Sequence, residues 1–242
     1  CLIFLGELKL AAGKAGTVIA EALERSDEYA LRNTIYPRAI AAIVADAPDQ
    51  ARQPVERYTE HYSGGYTSGR GGALVASVTL DRYEGKPQAA LTRMEREKTE
   101  MRRAMLFEVE LIRVFTDYEH ALCALAAAEG HDGERLATAQ RLGLGLLKEK
   151  PGYAIAMGHK VLGAVASTRG ERGRALEHMK QAIVGLERAG LRYLAACTRY
   201  RRGRLSGSSG KEDLAMANAY FDAQGVASRD ACVTASYPGV DA

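Results

Sequence analysis

Apolar residues recur at three- and four-residue spacing along nearly the whole chain, and this period constrains the fold more than any other feature. A helix turns once in about 3.6 residues, so that spacing lines one helix face with apolar side chains. Alternating, strand-like runs are scarce. The best of them, Leu74-Val-Ala-Ser-Val-Thr-Leu80, is short, and its flanks from Tyr66 to Tyr83 continue as a helix. Ala, Leu, Glu and Arg dominate the composition, and all four are good helix formers. Six prolines in 242 residues leave room for long helices. The pattern predicts an all-α protein.

Glycine, proline and polar clusters divide the pattern into about twelve segments. Helices are expected over 2–12, ending near Gly13 and Gly16, and over 17–25. A third spans 28–45 with Pro37 as a kink or break, and a fourth spans 49–62 with Pro54 in its first turn. Residues 73–83 and 86–98 pair across Glu84-Gly85, and 101–128 reads as one long helix. Segments 134–148, 151–168, 172–188, 191–204 and 211–223 follow. Ser63 to Gly72 is the most glycine-rich stretch and is expected to be a flexible hinge. Neighbouring helices joined by short turns make antiparallel hairpins. One hairpin cannot bury both of its apolar faces, whereas stacked hairpins can, so residues 1–224 are expected to form an α-solenoid repeat domain. Segment pairs recur at roughly 35–40 residues, the period of helical repeat arrays. Residues 225–242 are expected to form an irregular tail.

The clearest unit runs from Lys160 to Ala189. Leu162 and Gly163 stand on its first helix, Gly170 at the turn, and Ala175, Met179 and Ala182 on the second helix. This unit resembles a tetratricopeptide repeat, in which small residues let two helix backbones cross closely; Met179 then fills the gap as an apolar knob. His159 and Ala166 stand where that motif carries an aromatic residue, and Glu187 replaces its terminal proline. Leu5-Gly6 and Tyr83-Glu-Gly85 before Ala89-Ala90 repeat the pattern more weakly.

A second resemblance rests on short segments spread over the chain: Phe4-Leu-Gly-Glu-Leu8, Glu24-Arg-Ser-Asp-Glu-Tyr-Ala30, Asp46-Ala-Pro-Asp-Gln-Ala51, Asp81-Arg-Tyr-Glu-Gly85, Leu125-Ala-Ala-Ala128, Ala223-Gln-Gly-Val226 and Pro238-Gly239. In these the chain resembles the C-terminal helical region of large bacterial serine/threonine protein kinases, which carry a kinase domain, an ATPase-type segment and helical repeats. That family closes on Pro-Gly-aromatic; Val240-Asp-Ala242 replaces the aromatic here. The resemblance implies a parent enzyme that uses ATP and Mg in domains upstream. The chain begins at Cys1 rather than Met, which suits a fragment of a longer protein.

No chemistry of that parent is written in these residues. The chain carries no phosphate loop before a strand, no HRD-type loop and no Asp-Phe-Gly. Ser63 to Gly72 lacks the Lys-Ser/Thr pair that a phosphate loop needs. His120 and Cys123 share a helix face with His131 beyond them, but zinc needs about four ligands. His61, His159 and His178 are isolated in sequence. Neither a catalytic set nor a cofactor or metal site is therefore expected in the chain.

A net charge of +3 gives no basis for a nucleic-acid partner, and no apolar run reaches the roughly 20 residues of a membrane span. Four scattered cysteines without a CxxC pair suit a reducing, cytoplasmic setting. The expected partner is a separate protein or the parent's own upstream kinase and ATPase domains, met by the concave face of the solenoid, with no small-molecule substrate. Twelve tyrosines against four phenylalanines put Tyr58, Tyr62, Tyr66 and Tyr83 around the glycine-rich stretch. Tyr62 and Tyr66, with Arg199 and Arg202 of the basic run 199–204, are the candidate partner surface. The expected role is a non-catalytic regulatory repeat region. A sensor arm of an ATPase-type transcription regulator and a stand-alone tetratricopeptide adaptor are the alternatives.

Overall fold

The structure, a computed structural model, describes residues 2–60, 66–128 and 132–239, with the side chains of 57–60 and 68 outside that description. Tyr58 is therefore placed only by its backbone. His61, Tyr62 and His131 lie outside the described residues altogether.

Every regular element among the described residues is a helix. The first four are α1 (Leu8–Glu24), α2 (Glu28–Asn33), α3 (Ile35–Val44) and α4 (Asp49–Glu60). Next come α5 (Ser68–Tyr83), α6 (Pro87–Arg103), α7 (Glu110–Ala126) and α8 (Gly133–Leu146). Then follow α9 (Gly152–Thr168), α10 (Arg172–Arg188), α11 (Arg192–Ser206), α12 (Lys211–Gln224) and α13 (Arg229–Ser236). Neighbours pack as adjacent pairs: α5 with α6, α7 with α8, α9 with α10, α11 with α12. The alternate helices α1, α3, α5, α7 and α9 also touch in succession, so one pair leads to the next. A single hydrophobic core runs from Leu8 to Tyr237.

The pair α9–α10 shows why these residues pack as they do. Leu162, Gly163, Ala175, Met179 and Ala182 are all buried. A β-carbon at Gly163 would stand 3.2 Å from Met179 Cγ and 3.5 Å from the Ala175 carbonyl oxygen. The tightest approach is to Tyr237 Oη, at 2.8 Å, so the missing side chain at Gly163 leaves room for Tyr237 and Met179 rather than setting the helix spacing alone.

Several boundaries differ from expectation. Gly13 and Gly16 lie inside α1, where a glycine costs only about 1 kcal/mol against alanine and does not by itself end a helix. The break in 28–45 falls at Thr34, which puts Pro37 in the first turn of α3, where its missing N–H is harmless. Pro54 is inside α4 rather than in its first turn. The long helix expected over 101–128 is two helices. Met105 adopts a left-handed conformation (φ 55°) and a 3-10 turn follows at Leu106–Glu108, which lets α7 fold back on α6. No glycine or proline marks that reversal. The described part of the expected hinge, from Ser68 onward, is the first turn of α5, capped by Thr67, whose Oγ1 accepts from the Arg70 N–H.

The largest difference is at the C-terminus. Residues 225–242 were expected to be irregular, yet Arg229–Ser236 form α13, with Cys232, Val233, Ala235 and Ser236 buried. The apolar positions Cys232, Val233, Ala235 and Tyr237 span too few turns to stand out in sequence. This helix packs on α5 and α11. Carbonyls at a helix C-terminus lack intrahelical donors and carry partial negative charge. Here they are met from the inner faces of the pairs: Arg82 Nε donates to the Ala235 carbonyl at 2.9 Å, and Lys160 Nζ to the Ser236 carbonyl. Arg201 donates to Thr234 Oγ1 at 3.0 Å. Tyr237, 1% exposed, follows, with Lys160 Nζ 4.6 Å from its ring centre. The chain's own C-terminal helix thus covers a face to which α5, α9 and α11 contribute Arg82, Lys160 and Arg201.

The two ends of the chain meet as well. Gly6, at φ +75°, leaves its carbonyl to accept from Tyr220 Oη at 2.6 Å, and any β-carbon there would strike that hydroxyl. Glu7 pairs with Arg192 at 2.8 Å.

Candidate partner-binding groove

Phe4 and Leu5, just before the turn at Gly6, stay partly in solvent at 40% and 42% exposure. Leu111 on α7 and Val184 on α10 are likewise 54% and 42% exposed. Large apolar residues scattered singly over a surface need no explanation, but these four border one groove of about 900 Å³. Its floor is aromatic. The Phe4 and Phe115 rings meet edge to face at 4.9 Å, and Phe115 stacks with Tyr153 at 6.0 Å. Ile155 of α9 and Leu191 complete the apolar lining. Polar groups enter only at the α9–α10 side: His159, Gln181 and Arg188. A concave, mostly apolar site with few polar groups is the usual form of a binding surface.

Each wall follows from local sequence. Helix α9 begins after Pro151, whose fixed φ (−69°) suits the entry to a helix, and so carries Ile155 and His159 four residues apart on one face, with Tyr153 reaching the groove from the first turn. Helix α10 places Gln181, Val184 and Arg188 at successive three- and four-residue steps on the side facing away from Ala175, Met179 and Ala182.

His159 and His178, isolated in sequence, come together at the edge of this groove, their Nδ1 atoms 3.0 Å apart. Burial holds both imidazoles below the ordinary histidine range. Glu177 opposes the shift at each of them, and Arg174 adds to it at His178. Nothing local in the sequence joins them; only packing α9 against α10 across the turn at Gly170 brings the two rings to one seam.

The residues singled out for a partner surface fall elsewhere. Arg199 and Arg202 do not form a free basic patch. Both grip Asp213 on α12, at 3.0 Å and 2.6 Å, and Arg199 also pairs with Glu187 at 2.6 Å. They tie α10, α11 and α12 together. Tyr66 packs against the core with the Arg70 guanidinium 4.7 Å over its ring. His120 and Cys123 are buried on α7 and are not brought to a common ligand. Cys123 Sγ accepts from Arg82 at 3.2 Å, and His120 Nδ1 faces Lys98 Nζ at 3.2 Å. Burial and that ammonium push His120 down to about 4. No group of three or more His, Cys, Asp or Glu suited to a metal occurs among the described residues.

The segments that carry the kinase-region resemblance turn out to be junctions. In Asp81-Arg-Tyr-Glu-Gly85, Asp81 takes Arg52 at 2.8 Å and Arg93 at 3.1 Å. Arg82 takes buried Glu119 at 2.7 Å, Tyr83 donates to Asp46 at 2.6 Å, and Glu84 pairs with Arg52 at 2.8 Å. Gln224 Oε1 accepts from the Lys9 N–H, and the Gly239 carbonyl accepts from Thr168 Oγ1. No helix among the described residues is long and apolar enough to cross a membrane.

The chain has no significant match to any family model, curated protein or solved structure.

Proposed function

We propose that this chain is a non-catalytic protein-interaction region, a stack of tetratricopeptide-like helix pairs, that receives the apolar face of a partner protein in the groove between its N-terminal segment, α7, α9 and α10. The observation that carries this reading is the clustering of exposed Phe4, Leu5, Leu111 and Val184 around one aromatic-floored groove. Fully burying an exposed Leu or Val gains roughly 1.5–3 kcal/mol, and covering these half-exposed side chains about half of that each, so a partner that covers several of them binds usefully. An amphipathic helix fits such a groove, since its apolar face offers anchors every three or four residues. The resemblance to the repeat region of bacterial serine/threonine kinases supports a regulatory setting, with the partner being either another protein or kinase and ATPase domains in the same polypeptide.

The test is a fluorescently labelled amphipathic helical peptide with leucines on one face, titrated with the chain and read by anisotropy. Saturable binding weakened about tenfold or more by Val184→Glu, a loss of roughly 1.4 kcal/mol or more, is expected. Leu10→Glu, on exposed α1 surface away from the groove, is expected to leave binding unchanged. Equal affinity for both variants would overturn the assignment.

A further inference from the structure

The His159–His178 contact has a property that neither residue has alone. Two imidazole nitrogens 3.0 Å apart fit a hydrogen bond, and a hydrogen bond needs one donor and one acceptor. Exactly one proton must therefore lie between the two Nδ1 atoms. Two bare lone pairs, or two N–H groups, at that distance would repel.

Proton uptake then proceeds in two unequal steps. In the neutral pair, the donor imidazole carries its proton on Nδ1 and keeps a lone pair on Nε2; the acceptor carries its proton on Nε2. The first added proton goes to the donor's Nε2. It leaves the bridge in place and makes it charge-assisted, hence stronger. The second added proton has nowhere to go but the acceptor's Nδ1. It converts that atom to an N–H, puts two cations side by side, and abolishes the bridge. The two uptakes belong to the pair and not to either residue.

The bridge spans the seam between α9 and α10, and its His159 end lines the groove. We propose that His159 and His178 form an acid-released clasp across this seam: it is closed with its bridging proton or one more, and it parts when the second added proton arrives, spreading the groove wall and discharging the occupant. This rests on the groove being the binding surface, while the clasp itself does not.

The surroundings favour late, cooperative release. Both imidazoles are half-buried, and burial opposes each added charge. The charged groups acting on the pair come from α10: Glu177 attracts protons to both rings but is itself engaged by Gln181 Nε2 at 2.8 Å, and Arg174 repels them at His178. Arg188 lies further along α10 on the same groove. From α7 and the N-terminal segment the groove receives apolar Leu111, Phe115, Phe4 and Leu5, which offer no counter-charge. His120, the other described histidine with a lowered proton affinity, lies on α7 beside Lys98 and provides an internal reference.

The experiment is an NMR titration of the imidazole nitrogens in the labelled chain from pH 8 to pH 4, alongside the affinity of the amphipathic peptide over the same range. The clasp predicts that both Nδ1 signals are coupled, with one retaining its hydrogen-bonded position through the first uptake and both moving together at the second. Peptide affinity is expected to fall at least fivefold across the second step. His159→Gln and His178→Gln, each able to hydrogen-bond but not to titrate, are expected to flatten that fall. Two independent, ordinary histidine titrations in the wild type would overturn the clasp even if peptide binding is seen. Coupled titration with no peptide binding at any pH would instead sink the groove reading and, with it, discharge of an occupant. An unchanged pH profile of affinity in both Gln variants would refute the link between clasp and groove.

Discussion

Lys160 is the sharpest energetic test of the fold. It is 0% exposed, donates to Tyr118 Oη at 2.8 Å and to the Ser236 carbonyl, and faces the Tyr237 ring. No carboxylate pairs directly with it, so burial pushes its pKa down to about 7. In the unfolded chain the same ammonium has a pKa of about 10.4. Between these values the unfolded state binds a proton that the folded state does not, so stability rises with pH through that window. Below pH 7 the full cost of burying the charge, on the order of 5 kcal/mol, weighs against folding. About 2 kcal/mol of that is recovered between pH 7 and pH 9. Lys160→Met keeps the apolar stem and removes the titration. It also leaves the Ser236 carbonyl without its donor, a pH-independent loss of about 1–3 kcal/mol. Tyr118, Tyr193 and Cys197 are pushed up by burial and give the opposite slope at high pH, but both proteins share them, so the difference isolates Lys160. Urea unfolding followed by far-UV circular dichroism at pH 7, 8 and 9 measures it. The wild type is expected to gain about 2 kcal/mol on the variant from pH 7 to pH 9. A difference that stays constant across that range would show that Lys160 keeps an ordinary proton affinity, and the reasoning about its burial would fail.

Other perturbations follow from the same structure. Arg82→Met breaks a 2.7 Å buried pair and strands Glu119, so a loss of about 3–5 kcal/mol is expected in urea unfolding. Gly163→Val forces side-chain atoms against Tyr237 Oη and Met179, and destabilisation of about 1–3 kcal/mol is expected by the same measurement. His120→Gln removes a group whose folded pKa, about 4, lies below its unfolded value of about 6.5. The wild type is expected to lose on the order of 3 kcal/mol through this group as pH falls from 6.5 to 4, and the variant to be spared that part of the acid loss. Val184→Glu is expected to weaken peptide binding while costing at most about 1 kcal/mol of stability, because the side chain is only partly buried and a glutamate can turn its carboxylate to solvent.

Helices wherever the period was strong, and the close packing of Gly163 against Ala175 and Met179, were legible in the sequence because they depend on neighbours a turn apart. What was not legible depends on residues far apart in the chain. Met105 reverses the chain with no glycine or proline to announce it. Helix α13 is too short to be periodic, and it is fixed by Arg82, Lys160 and Arg201 from three other helices. Arg199 and Arg202 read as a basic surface until Asp213, carried on the next helix, is placed between them. The groove draws Phe4, Leu111, Tyr153 and Val184 from four separate elements, and no local pattern joins them. His159 and His178 read as isolated for the same reason: they stand on two helices and meet only once α9 and α10 are packed together.

Methyl-resolved NMR of the chain titrated with the amphipathic peptide tests the central claim most directly. Docking in the groove predicts that the methyl signals of Leu5, Leu111, Ile155, Val184 and Leu191 move together and saturate at a single affinity. Shifts that gather instead around α12 and α13, or that never saturate, would contradict it.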